Sequence, residues 1–423
     1  MKTKKSYYTE VSHSRRQNCI TPAKKTIPLL LAAIMLITAL ANCAKTETDA
    51  NVTDTAQTQT PPTEQTTETG TQPPANTSGE TPSGGPAPGG PSPIDILTAQ
   101  PVNETYTFTD SAGREVEIPL NIERIAPSGT AAQIILFTLC PDKLVGFSTN
   151  IYDEQYEYID RKYETLPVFG SFYSETLNLE SVMVANPQII IDVGEAKPGI
   201  ADDMIGLEER TGIPTIFIHM DMKTITEAYE TLGAVTGETE QAQKIINYIN
   251  QTLTETDERI RRIPEDERVK IYYGDGDGLN AMVSGTVHTD VIDIAGGRNV
   301  AEIEETMRGG AAIISMEQLM LWNPDVILFS PESIYSDAAT LPEWQGISAI
   351  RNNRIYEVPA MPYNWMGRPA SVNRILGIKW LSNLLYPDIF MYNMAHEAKE
   401  FCKLFYHCDL TDAQIDALLA KAT

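Results

Sequence analysis

Residues 180–191 read ESVMVANPQIII and residues 317–328 read EQLMLWNPDVIL. Glutamate, methionine, an Asn-Pro pair and an apolar run align at a constant offset of 137 positions. The residue before a proline is pushed out of helical conformation, so each Asn-Pro ends a helix and opens a turn. The short apolar run after it has the length of a buried strand. Each copy is thus predicted as helix, turn and strand. A chain that builds this unit twice is expected to have two lobes of related design. Chance similarity between two such units is the plainer alternative, and it is weighed against what lies between them.

Between the copies runs ETEQAQKIINYINQTLTETDERIRR, Glu238 to Arg262. Ala242, Ile245, Ile246, Ile249, Leu253 and Ile260 fall near one face of a 3.6-residue repeat. Acidic residues lead and Arg261 and Arg262 trail, the order that the helix dipole favours. Gly237 precedes the stretch and Pro264 ends it. At 1.5 Å per residue it spans roughly 37 Å, the width of a small domain. Alone it reads as an amphipathic surface helix; with a repeat on either side it reads as a strut joining two lobes.

The flanking pattern agrees. In the first lobe Tyr106–Pro119 reads as a hairpin. Strands are predicted at 124–127, 144–147, 188–192 and 214–219, and helices at 130–139, 179–185 and 200–211. In the second, strands are predicted at 269–273, 325–329 and 354–358, and helices at 289–295, 316–321 and 371–385. Alternation of this kind gives a parallel sheet covered by helices, with ligands at the carboxyl ends of the strands. In the first lobe those ends are Ser128-Gly129-Thr130, the Phe172-Tyr173-Ser174 loop and Val193-Gly194-Glu195.

The N-terminus is of another kind. A basic stretch to Lys25 is followed by the apolar run IPLLLAAIMLITAL and then Ala41-Asn42-Cys43. The run is too short for a membrane span of about 20 residues and has the form of an export signal. Its end resembles a bacterial lipobox with Cys43 as the lipidated residue, although Asn42 departs from the usual small residue before that cysteine. The segment after it is rich in Thr, Pro, Gly and Glu, cannot bury a core, and is expected to be a disordered tether reaching on the order of 40 Å. The expected organisation is a signal peptide at 1–43, a linker at 44–103, lobes at 104–223 and 265–390, a connecting helical segment at 224–264, and a helical extension at 391–423.

A net charge of −25 argues against a nucleic-acid partner. The five cysteines show no zinc-type spacing; Cys402 and Cys408 are able to pair or to stay as thiols. GDGDG at 274–278 lacks the spacing and terminal glutamate of a calcium loop. No nucleophile–base pair, phosphate loop or dinucleotide fingerprint is evident, so no enzyme is expected.

Three features together resemble the substrate-binding proteins of ABC importers that carry ferric siderophores, heme or cobalamin. They are the FTDSAGREVEIP opening (108–119), the doubled helix–Asn-Pro–strand unit, and PYNWMGRPASVNRILGIKWLSNLLYPD (362–388). The resemblance covers about 104–390. It implies α/β architecture with two Rossmann-like lobes joined by one long rigid helix, the ligand in the cleft between them, and little hinge motion. It implies that Glu180 and Glu317, the leading residues of the repeat, dock on arginines of the permease. Two glutamates favoured at helix N-termini by the dipole are the ordinary alternative.

The expected function is therefore an extracytoplasmic lipoprotein, monomeric and without an intrinsic cofactor. It captures an iron chelate for a permease and its ATPase. Heme, cobalamin, or bare nickel or zinc are alternatives within the class, and a surface adhesin or chelatase-like enzyme lies outside it. Candidate ligand contacts are Phe172, Tyr173 and Glu195 on the first lobe, and His288, Arg308, Trp365, Met366 and Arg368 on the second. The aromatics and Met366 suit a flat or catecholate ligand, and the arginines suit an anionic chelate. His219 and His288, one on each lobe, are the residues available for direct metal binding.

Overall fold

A computed structural model describes residues 104–304 and 309–423. The expectations for the export signal, Cys43, the linker and Arg308 lie outside these residues. Strands β1 (Thr105–Thr109) and β2 (Glu115–Pro119) form an antiparallel hairpin. It is latched to the first lobe by Asp110. The Asp110 carboxylate accepts from the amides of Ala112 and Arg114, from the Arg114 guanidinium, and from the amide of Phe217.

The first lobe continues with β3 (Ile125–Pro127), α1 (Thr130–Leu139), α2 (Leu179–Ala185), β4 (Ile189–Gly194), α3 (Ile200–Thr211) and β5 (Thr215–His219). Its sheet is wholly parallel, in the order β3-β4-β5. β4 is buried at five of its six positions, as a strand covered on both faces must be. The predicted strand at 144–147 is reduced to two isolated bridges, Ile125 to Leu144 and Phe147 to Val168.

Helix α4 (Ile225–Thr236) leads into the strut, α5 (Thr239–Ile260). The buried stripe of α5 is Ala242, Ile245, Ile249, Thr252, Thr256 and Ile260. Two threonines thus continue the apolar face; Thr252 meets its hydroxyl's need by donating to the Tyr248 carbonyl within the helix.

The second lobe comprises β6 (Lys270–Asp275), β7 (Asn280–Met282), α6 (Asp290–Ile294), β8 (Arg298–Asn299), β9 (Ala311–Ile313), α7 (Met316–Trp322), β10 (Val326–Phe329), β11 (Ile355–Glu357) and α8 (Asn373–Leu385). Its sheet is mixed rather than parallel. β10 pairs in parallel with β11 and β6, whereas β7 runs antiparallel to both β6 and β9. The GDGDG stretch is the turn between β6 and β7, closed by the Gly278 amide on the Asp275 carbonyl.

The repeat is structural. α2 and α7 are each capped by a side chain, Asn178 on the Ser181 amide and Ser315 on the Gln318 amide. Each ends on a left-handed asparagine, Asn186 at φ 48° and Asn323 at φ 44°. Each then feeds a buried parallel strand, β4 or β10.

The described residues belong to one compact unit, and the strut is not the sole link within it. Helices α9 (Met394–Tyr406) and α10 (Asp412–Leu419) form a strap across both lobes. Phe137 of α1 packs on Tyr406, with ring centroids 6.3 Å apart. The Gln414 amide donates to the Glu157 carbonyl at 2.6 Å. On the other lobe Tyr406 donates to Asn373 at 2.9 Å, and the Glu357 amide donates to the Lys421 carbonyl at 3.0 Å. One hydrophobic core runs from β2 through the strut to α10.

Candidate functional site

The carboxyl ends of β4 and β5 and the start of α1 form one wall of a cavity of about 480 Å³. The opposite wall comes from the second lobe: Val287, His288, Gly309, Ala370 and Arg374. A volume of this size is within the ordinary range for a small-molecule site. A second, more open cavity of about 860 Å³ lies alongside, with Thr130 common to both. It is lined by Tyr152 and Gln155 of the first lobe and by Ser330, Tyr363 and Arg368 of the second.

Three features give the first cavity its electrostatic character. Gly129–Ala132 line it, and Gly129, the N-cap of α1, makes no side-chain cap. Backbone N–H groups at such an end are left for solvent or ligand, and the helix dipole adds to their pull on an anion. Facing them is Arg374, a guanidinium 1% exposed at the start of α8. It is held by Asp290 at 3.2 Å and by the carbonyls of Val287 and Ser371. Burial pulls its pKa down, and Asp290, Glu195 and Asp221 hold it up, so the group stays charged. Lys197 stands 3.8 Å over the ring of Tyr173.

Tyr173 and Ser128 both donate to the carboxyl of Asp192. Burial pushes the Asp192 pKa up, against those two hydrogen bonds and Lys197. Burial and the adjacent Asp192 also raise Tyr173 well above the ordinary phenol range. His288 engages the Gly367 carbonyl through Nδ1 at 2.7 Å, which leaves Nε2 as its second ring nitrogen. Burial is the main cause of its lowered pKa. The nearby Arg368 and Arg374 add to it, and Gly367 and Asp290 oppose it.

Of the residues expected from sequence, Tyr173, Glu195 and His288 line this cavity together. Arg368 lines the second one, where it pairs with Asp275 at 2.6 Å. Phe172 meets Tyr173 edge to face at 5.2 Å but lies outside both cavities. Trp365 and Met366 require a correction: both are buried in the core, not presented to the cleft. The Trp365 indole donates to the Met361 carbonyl and packs on Trp380. Gly377 of α8 lets that loop lie flush, since a Cβ there would fall 2.0 Å from the Trp365 carbonyl oxygen. His219 also lies outside both cavities. Its Nδ1 accepts from the Ala196 amide, and its Nε2 faces Asp221 at 3.7 Å. Among the described residues no group of three histidine, cysteine or carboxylate side chains is placed to hold a metal.

The sequence motifs do not single out Arg374, whose one signal is that it is the only arginine in the largely apolar stretch 373–385. Eleven of the thirteen residues of α8 are buried, so this helix has no solvent face. A lone arginine in such a helix must turn to an internal polar partner or to a cavity.

Residues 125–362 match the family model described as periplasmic binding protein. A search of curated proteins gives no match. Many solved structures share the fold. An ABC transporter solute binding protein from Sulfurospirillum deleyianum is 27% identical with a TM-score of 0.68, covering 74% of this chain and 99% of that one. A periplasmic solute binding protein from Veillonella parvula is 25% identical with a TM-score of 0.63, covering 75% and 98%. The molybdate-bound MolA of Haemophilus influenzae is 19% identical with a TM-score of 0.60, covering 72% and 99%.

Proposed function

The chain belongs to the periplasmic binding protein family, whose model spans more than half of its 423 residues. From that premise we propose that it captures an anionic iron chelate in the interlobe cleft and delivers it to an ABC importer. The similarity to the Sulfurospirillum deleyianum solute binding protein supports the importer. The observation that carries the anionic ligand is the pairing of buried Arg374 with the uncapped start of α1 across one cavity. A guanidinium and a helix N-terminus both favour negative charge and contribute most where water is excluded. Tyr173, Glu195, His288 and Arg308 are proposed as further contacts, together with Arg368, which lines the second chamber. The proposal includes lipid anchoring at Cys43 and docking on the permease through Glu180 and Glu317, both of which are exposed.

Calorimetric titration of the protein with ferric catecholate and ferric hydroxamate chelates, heme, cobalamin, and nickel or zinc ions tests the ligand. An anionic ferric chelate is expected to bind at about micromolar Kd or tighter. Arg374→Lys is expected to weaken it by about tenfold through loss of the planar fork. Binding of bare metal ions alone, or an unchanged affinity in the variant, overturns the reading.

A further inference from the structure

The two copies of the repeat match in exposure as well as in sequence. Val182 of α2 and Leu319 of α7 occupy the same register and are 1% and 0% exposed, anchoring each helix to its lobe. The next two residues of each copy turn outward. Met183 and Val184 are 47% and 81% exposed; Met320 and Leu321 are 41% and 78%. These four are among eleven exposed large apolar side chains in the described residues, yet they fall within two seven-residue helices. Single exposed apolar residues are ordinary. The same pair exposed at the same register of two separate lobes is not scatter. Packing does not require it, because each helix is already anchored by its buried residue and capped at its start. Glu180 and Glu317 stand three and four residues before these pairs, and therefore on the same helix face.

We infer that Met183–Val184 and Met320–Leu321 are the anchors by which this protein is held on its permease. Each pair enters an apolar socket rimmed by a basic group, and the permease presents that socket twice. The inference rests on the reading of Glu180 and Glu317 as docking residues, and it divides the labour differently. Exposed carboxylate–arginine pairs contribute little in water and weaken with salt, so the glutamates guide encounter and register. Burial of apolar surface is not screened, and methionine adapts to an imperfect socket, so the apolar pairs set the lifetime of the complex. An acidic residue beside each pair selects a basic rim and disfavours a second copy of this chain, which would bring like charges together.

The test places a photocrosslinking phenylalanine analogue at Ser181 or Gln318, the matched positions between glutamate and apolar pair, in the full chain with its importer present in membranes. A control probe replaces Ile205 on α3. Both reporter positions are expected to crosslink to the same peptide of one polytopic permease chain, identified by mass spectrometry, and the control is not. Met183→Ser, Val184→Ser, Met320→Ser and Leu321→Ser combined are expected to lower the yield by at least about tenfold at low and high salt. Glu180→Gln with Glu317→Gln is expected to lower it mainly at low salt. Thermal melts confirm that both variants are folded. If only the glutamine variant loses the crosslink, the apolar anchors are refuted and docking through the glutamates stands. If neither reporter reaches a permease, the docking reading itself fails. Crosslinks between copies of this chain overturn the inference in favour of self-association.

Discussion

The indole of Trp380 donates to the carbonyl of Ala422 at 2.8 Å, tying the last residues of the chain to the middle of α8. Gln414 holds the same strap to the first lobe through Glu157. The lobes are therefore joined by the strut and, independently, by α9 and α10. Ligand binding is expected to change the radius of gyration by no more than about 1 Å, as in other preorganised sites. Deleting 411–423 removes the Gln414 and Ala422 contacts and is expected to lower Tm and allow a larger change. Small-angle scattering with and without ligand checks both. Compaction of several ångströms in the full chain would refute the strap.

The strap also carries a buried charge. Lys379 of α8 meets Glu397 of α9 at 2.6 Å, with side chains 8% and 16% exposed. The ammonium lies 4.6 Å from the ring of Tyr248 on the strut. Glu397→Ala leaves that ammonium unpaired among aromatic rings and is expected to cost about 3–5 kcal/mol in urea unfolding. Replacing both residues by leucine or methionine is expected to restore most of the loss, because an apolar pair carries no desolvation penalty. A double variant as unstable as Glu397→Ala would show that packing, not charge, sets the cost.

Much of this architecture is legible in the sequence. The strut is bounded within two residues at either end because a long amphipathic period between Gly237 and Pro264 has no competing reading. The repeat is legible because Asn-Pro fixes both a left-handed cap and an exit from the helix, seen at Asn186 and Asn323. The cavity wall on the first lobe lies where strand-end topology puts it. The antiparallel part of the second sheet is not legible, since β7 and β9 have three residues each and carry no alternation. Nor does residue chemistry tell a ligand-facing aromatic from a packed one. Trp365 and Met366 suit a chelate as well as Tyr173 does, but the loop holding them is sealed against α8. Arg374 shows the reverse case, a cavity-lining residue marked by its place in a largely apolar helix.

The hairpin signature acts as a latch. Asp110 is fully buried, and its partner Arg114 also reaches Glu208 at 2.7 Å and the Thr215 carbonyl at 2.9 Å. Asp110→Ala strips the Phe217 amide of its acceptor and leaves Arg114 with a single, half-open carboxylate. A loss of about 3–5 kcal/mol in denaturant unfolding is expected. Asp110→Asn keeps the shape and part of the hydrogen bonding, so it is expected to lose less. Equal losses would place the effect in shape rather than charge.

His288 gives the cleft a pH response whose direction follows from its burial. Its pKa lies below the ordinary value of 6.5, so the ring is neutral at pH 7. As pH falls through that lowered value the ring gains a proton and adds a cation to a cavity already facing Arg374. Affinity for an anionic chelate is expected to rise by about three- to tenfold as the ring takes up that proton, at a pH below 6.5. Without ligand, stability moves the other way. The unfolded chain takes up this proton first, so the contribution present above pH 6.5 is lost as pH falls through the folded-state pKa. Asp192 and Asp290, whose pKa values burial raises, also shed negative charge on acidification and push affinity in the same direction. His288→Gln separates the contributions. It is expected to flatten most of the affinity gain and the acid-side loss of Tm together. A variant that keeps the full slope of affinity against pH would assign the response to the carboxylates and remove His288 from the site.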